Sequence, residues 1–242
     1  MEELKVGFRT NEGKTRTANE DSLLVRQLGD VYLLAVADGL GGHASGEVAS
    51  KMALIELEEY LKANLKAEPT QEIFKQAIDK ANREIYLLSK ENPEYKGMGS
   101  TLVAALIYRD KALIANIGDS RAYLIKDEIK QITRDHSLVQ DMVDKNVLTR
   151  EESRHNLQKN VVTRTLGTGS EVQADYSELS LDGGALLLCS DGLPDALTDE
   201  QISEIIINAP GVESACDRLI EQANEKGGRD NISVILAKGK SN

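Results

Sequence analysis

Tryptophan is absent from this 242-residue chain, phenylalanine occurs twice, and aromatic residues make up only 4%. Any core must therefore be aliphatic, and a hydrophobic content of 40% is enough to build one. Only two cysteines occur, Cys189 and Cys216, far apart and in no Cys-x-x-Cys pair, which argues against structural zinc and against a disulfide framework. Cys189 lies inside an apolar run and reads as a small buried residue. No segment approaches the roughly 20 apolar residues of a membrane-spanning helix. The opening Met1-Glu-Glu-Leu-Lys-Val6 lacks the basic region and apolar stretch of a leader. Basic runs are missing too: 29 basic against 40 acidic residues leave a net charge of −11, so nucleic acid and anionic membranes are poor partners. A soluble intracellular protein without membrane insertion is expected. No internal repeat, low-complexity tract or Pro/Ser-rich linker divides the chain.

What is present is a series of short apolar runs punctuated by turn residues. Ser22–Gln27 and Val31–Ala37, joined by Leu28-Gly-Asp30, read as a hairpin. Asp38–Gly46 holds four glycines in nine residues and must be an irregular loop. Helical spacing follows over Gly46–Asn64 and again from Pro69-Thr70 to about Ser89, where Ile73, Ala77, Ala81, Ile85 and Leu88 share a face. Strands are expected at Thr101–Tyr108, Ala112–Ile117, Arg121–Ile125, Ile129–Thr133, Val161–Leu166, Tyr176–Leu181 and Ala185–Ser190. The turns between most of these are too short for parallel crossovers, so the pairing is antiparallel. Ser137–Asn160 is polar, weakly helical and without a core face. Two helices, Asp199–Asn208 and Gly211–Lys226, precede a last strand, Ile232–Ala237. Strands separated by paired helices predict an α+β layered domain rather than a doubly wound sheet.

Three of these runs end on an aspartate beside a glycine: Asp38-Gly39, Gly118-Asp119 and Asp191-Gly192. A fourth acid, Asp230, stands just ahead of the last strand. In an antiparallel sheet one strand's start lies beside its neighbour's end, so all four can share one rim. Converging carboxylates repel unless a cation sits among them, and oxygen ligands without a Cys/His cluster favour Mg²⁺ or Mn²⁺ over zinc. Two such ions about 4 Å apart can bind a phosphoryl group and generate hydroxide from a bridging water. Asp38 is the best bridging candidate, because Gly39 leaves the backbone carbonyl free to approach a cation closely. A second cluster, Arg16-Thr-Ala-Asn-Glu20-Asp21, sets a guanidinium fork suited to phosphate oxygens ahead of two acids able to hold metal-bound water. Of the histidines, His155 reads as exposed and His136 as an aid to a helix start, leaving His43 as the one site candidate.

The ordered set Arg16-x-x-Asn-Glu-Asp21, Ala37-Asp-Gly-Leu-Gly-Gly-His43, Gly99-Ser-Thr101, Gly118-Asp-Ser-Arg121, Thr133-Arg-Asp-His-Ser137, Cys189-Ser-Asp-Gly-Leu193 and Gly228-Arg-Asp-Asn-Ile232 resembles the protein phosphatase 2C family of metal-dependent serine/threonine phosphatases. It spans nearly the whole chain, and its short form is similar to the compact bacterial members that oppose Hanks-type Ser/Thr kinases. The resemblance implies one domain over 1–242: an α-β-β-α sandwich of two mainly antiparallel sheets, with metals at one rim and a flap over about 137–160. It implies a cytoplasmic, monomeric phosphatase acting on phosphoserine and phosphothreonine proteins, the kinase among them, with two core Mn²⁺ or Mg²⁺ ions and a third in addition. It makes Asp38 the bridging ligand and Gly39 a carbonyl ligand. Asp191 and Asp230 complete the second metal, and Asp119 with Asp191 forms the third site. Glu20 and Asp21 hold metal-bound water, and Arg16 grips the substrate phosphate. One position departs from the pattern: Leu40 stands where many eukaryotic members carry a histidine proposed as general acid, and His43 is too far on to inherit that role. The general acid is open.

Two other classes compete. A catalytically silent phosphoprotein binder would be expected to lack one or more ligands, and all are present. An enzyme with a strand-end aspartate nucleophile usually needs an Asp-x-Asp pair, which Asp38-Gly-Leu40 does not supply.

Overall fold

The computed structural model describes residues 4–41, 45–154 and 156–239. Two antiparallel sheets face each other. The first has the order β1-β11-β10-β7-β8, built from Lys5–Asn11 (β1), Arg121–Ile125 (β7), Ile129–Gln131 (β8), Ala185–Cys189 (β10) and Ile232–Lys238 (β11). The second has the order β2-β3-β5-β6-β9, from Asp21–Leu28 (β2), Val31–Leu40 (β3), Leu102–Tyr108 (β5), Lys111–Ile117 (β6) and Asp175–Ser180 (β9). A two-residue strand, Gly99–Ser100 (β4), pairs with the end of β3.

The period-2 alternation of strands explains why helices cover both outer faces. Along β3, Leu34 and Val36 point between the sheets, where Val103, Ile114, Leu186, Leu188 and Ile235 meet them. Their neighbours Leu33, Ala35 and Ala37 point outward onto the helices Ser45–Asn64 (α1) and Gln71–Glu91 (α2) through Leu57, Leu61, Phe74 and Ile78. Along β10 the same alternation sends Leu187 and Cys189 against Asp199–Ile207 (α6) and Val212–Glu225 (α7). The layers are therefore α-β-β-α, and the aliphatic core anticipated from composition divides into three apolar layers. Both cysteines are buried and unpaired. No helix among the described residues is long and apolar enough to cross a membrane.

Several expectations need correction. Val161–Leu166 is not a strand: it makes only isolated bridges, Ser137 with Val162 and Ser100 with Leu166. Its apolar residues are spent on local anchoring, Leu166 being buried while Val161 is exposed. The edge strand β1 has no sequence signal beyond a weak alternation, and pairing with β11 defines it. The polar stretch after Ser137 folds as two short helices, Leu138–Asp144 (α3) and Arg150–Arg154 (α4). A further short helix, Gly192–Ala196 (α5), starts directly after Asp191.

Candidate metal centre

The two sheets bring their acids to one rim. Asp38 near the end of β3 stands in register with Asp21 at the start of β2. Asp191 follows β10, and Asp230 precedes β11, its antiparallel neighbour. Asp119 lies on the crossing from β6 of one sheet to β7 of the other. A hydrogen bond of 2.7 Å from the Ser190 hydroxyl to Asp21 Oδ2 ties the sheets together at this rim.

Hydroxyls and amides fix the backbone around the acids. The Asp38 N–H donates to Thr101 Oγ1 at 2.9 Å, and the Asp38 carbonyl accepts from the Thr101 N–H at 2.8 Å. Asn231 accepts from the Glu20 N–H through Oδ1 and donates through Nδ2 to the carbonyls of Glu12 and Ala18. Gly39 is required for a reason beyond carbonyl access: a Cβ there would collide with the Gly46 carbonyl, where α1 begins. Gly192 likewise lets the start of α5 pass over the Asn231 carbonyl.

The electrostatics are those of a crowded, poorly compensated acid cluster. Burial first, then the charges of Asp21, Asp191, Asp119 and Asp230, push the Asp38 carboxyl well above the carboxylate range. Asp191 is raised well above it by burial and by Asp119, Asp195, Asp230 and Asp21. Burial lifts Asp21 to about 6 against hydrogen bonds from Ser233 and Ser190, and lifts Asp119 to about 7 with the help of Asp135. Glu20 is raised by burial, with Arg16 opposing. Arg16 itself donates to Asp230 Oδ2 at 2.9 Å.

The donor set suits a hard divalent cation. Asp21 Oδ1 and Asp191 Oδ1 are buried acceptors without a hydrogen-bond partner, a costly state unless a cation takes them up. Among the described residues no group of three or more acidic, histidine or cysteine side chains is preset in ligand geometry. The rim gathers the carboxylates of Asp21, Asp38, Asp119, Asp191 and Asp230 into one interacting cluster. Glu20 reaches it from the loop before β2, interacting with Asp230.

Other residues were foreseen differently or not at all. His43 and His155 lie outside the described residues. His136 is no helix-start residue: Ser137 caps α3 by accepting from the Gln140 N–H, and His136 is fully buried. Arg121, beside Asp119, holds Asp135 through Nε and Nη2 at 2.7–3.0 Å and donates to Tyr123. Thr101, Ser190 and Asn231 sat in the motifs without a role; a lone polar residue bordering an apolar run is the signal that marks them.

The chain matches the Protein phosphatase 2C family over residues 11–237. It is similar to the serine/threonine phosphatase stp of Listeria monocytogenes serotype 4b, being 37% identical over 235 residues that cover 95% of this chain and 93% of that one. It superposes on the crystal structure of a bacterial serine phosphatase with a TM-score of 0.94 at 35% identity, covering 99% of each chain. The catalytic domain of the serine/threonine protein phosphatase PstP, solved in complex with 2 manganese ions, gives a TM-score of 0.87 at 37% identity and 97% coverage of each chain.

Proposed function

This chain belongs to the protein phosphatase 2C family and is a metal-dependent protein serine/threonine phosphatase, and from that premise we propose which of its residues do the work. Asp38, the Gly39 carbonyl, Asp191 and Asp230 would hold two core divalent ions, Asp119 with Asp191 would hold a third, and Glu20 and Asp21 would hold metal-bound water. The carrying observation is the pair of buried, unpartnered oxygens, Asp21 Oδ1 and Asp191 Oδ1, set in a cluster whose acids outnumber the guanidiniums of Arg16 and Arg121 that face it. When bound, such ions supply positive charge for phosphoryl oxygens and lower the pKa of water.

The chain's own groups do the rest. Arg16 is half exposed and committed to Asp230 by one Nη2 contact, so its guanidinium can turn to grip the substrate phosphate once Asp230 is otherwise neutralised. Thr101 and Ser190 keep Asp38 and Asp21 from drifting, which holds the attack geometry. Leu40, at the end of β3, brings no proton, so the leaving serine or threonine oxygen takes its proton from elsewhere. Residues 1–242 act as one catalytic domain with a flap over about 137–160, as a cytoplasmic monomer. Its phosphoprotein substrates include a Hanks-type Ser/Thr kinase, and its ions are Mn²⁺ or Mg²⁺.

Hydrolysis of a phosphothreonine peptide should vanish in EDTA and return with Mn²⁺. Asp38→Ala should lose at least about a hundredfold in kcat, since metal charge supplies several kcal/mol to the transition state. Full turnover in chelator, or wild-type turnover of Asp38→Ala, would remove this assignment.

A further inference from the structure

The segment Thr133–Ser137 contains no residue with a part in the chemistry above, yet His136 is among its most completely buried polar side chains. Two things meet on it. The first is the turn that carries Asp119. The Gly118 N–H donates to His136 Nδ1 at 3.1 Å, while the His136 N–H donates to the Gly118 carbonyl at 2.9 Å. Both backbone polar groups of Gly118 are thus held by one residue. Gly118 has φ +100°, and a Cβ on it would lie 2.7 Å from Thr101 Cβ, so the turn tolerates no side chain and depends on outside support.

The second is the neck of the flap. The His136 carbonyl accepts from the Thr163 N–H at 2.8 Å, Ser137 bridges Val162, and the Leu138 N–H donates to the Val161 carbonyl at 2.9 Å. Residues 136–138 and 161–163 therefore close the flap's base as a short antiparallel neck. The ring continues the connection. With Nδ1 accepting from Gly118, the hydrogen-bond network assigns the ring proton to Nε2. Nε2 faces Asp175 Oδ2 at 3.2 Å, and Arg164, just past the neck, donates to Asp175 Oδ1 at 2.9 Å.

We propose that His136 is a positioning residue that locks the neck of the flap to the Gly118–Asp119 turn, so that the flap and the Asp119 carboxylate are held in register with each other. This rests on the reading of Asp119 as a ligand of the third divalent ion. An outer residue that orients a ligand typically contributes ten- to a hundredfold to metal affinity, and the effect falls on the site that ligand serves.

The test uses the full chain and Mn²⁺ alone, titrated by calorimetry into wild type, Asp119→Ala, His136→Ala, His136→Asn and His136→Gln. An asparagine oxygen can stand in for Nδ1, whereas a glutamine amide reaches toward the Nε2 position. His136→Ala and His136→Gln should each weaken, by about tenfold, the binding step that Asp119→Ala removes, with the tighter steps unmoved. His136→Asn should recover that step to within about threefold of wild type. Should His136→Ala not fold, the Asn and Gln variants decide. Equal behaviour of those two, wild-type binding by both, or equal weakening of every step would overturn the proposal while leaving Asp119 in place. Wild-type binding by Asp119→Ala would remove the ligand assignment, and this proposal with it.

Discussion

At the scale of single residues, the rim is a place where charge repulsion is built in and left for a cation to relieve. Asp191 shows it most directly, since its Oδ1 is buried without a partner and its neighbours are acids. Asparagine is nearly the same shape and removes the charge. Asp191→Asn should therefore leave the chelated protein at least as heat-stable as wild type, because a carboxyl that must either carry a buried charge or take up a proton to shed it costs more than a buried amide. The same variant should lose most of the melting-temperature gain that Mn²⁺ gives wild type, read by differential scanning fluorimetry with and without EDTA. A gain of wild-type size would mean Asp191 holds no ion. Asp38, Asp119, Asp191 and Asp230 were legible in the chain because each borders an apolar run, which places it at a sheet rim whatever the topology. Ser190, Thr101 and His136 were not assignable. Their roles are set by partners 18 to 169 residues away, Gly118 for His136, Asp38 for Thr101 and Asp21 for Ser190, and only the tertiary fold brings these together.

At the scale of elements, local and tertiary signals divide the chain differently. Helices α2 and α6 were legible nearly to the residue because their caps are in the sequence: the Thr70 hydroxyl accepts from the Ile73 N–H, and Thr198 with Gln201 forms a reciprocal capping box. Thr198→Ala should cost about 1 kcal/mol in urea unfolding with phosphatase activity unchanged, because α6 packs on the outer face of its sheet and carries none of the rim acids. The run Val161–Leu166 misled because β-branched residues also suit a short neck, and a strand needs a partner along its whole length. The segment 137–160 that this neck closes, our proposed flap, is tied to the helices beyond it by charge. Lys159 pairs with Asp195 of α5, and Arg154 lies 3.8 Å from Asp199 at the start of α6. Both pairs are partly exposed, so each contributes well under about 1 kcal/mol to global stability. Lys159→Ala should leave the melting temperature within about 2 °C of wild type while raising amide hydrogen exchange through α4. High salt should mimic it. Unchanged exchange in α4 would show that the pair does not fasten this segment.

At the scale of the whole molecule, the acidic rim is also the seam between the two sheets. Asp21 and Asp38 belong to one sheet, Asp191 and Asp230 flank strands of the other, and Asp119 sits on the chain crossing between them. The apolar layer of Leu34, Val36, Leu188 and Ile235 holds the sheets together from behind while the acids push them apart at the edge. Divalent ions should then act as staples, and their effect should depend on pH with a definite sign. In the metal-free fold Asp21 titrates at about 6 and Asp119 at about 7, against an ordinary value of 3.8. The folded chain therefore keeps protons that the unfolded chain has lost. The stability these groups contribute is fully present below about pH 4 and is lost as pH rises through about 6 and 7. Metal binding runs the other way, because the ligands must be deprotonated to bind, so affinity climbs over the same window. The stabilisation by Mn²⁺ over EDTA should accordingly be small near pH 5 and largest near pH 8. At a hundredfold excess over Kd it should reach about 2.7 kcal/mol for one site, or ~5–10 °C in melting temperature for a chain of this size. A Mn²⁺ increment that stays flat or shrinks between those pH values would mean that the rim acids are not what the ion neutralises.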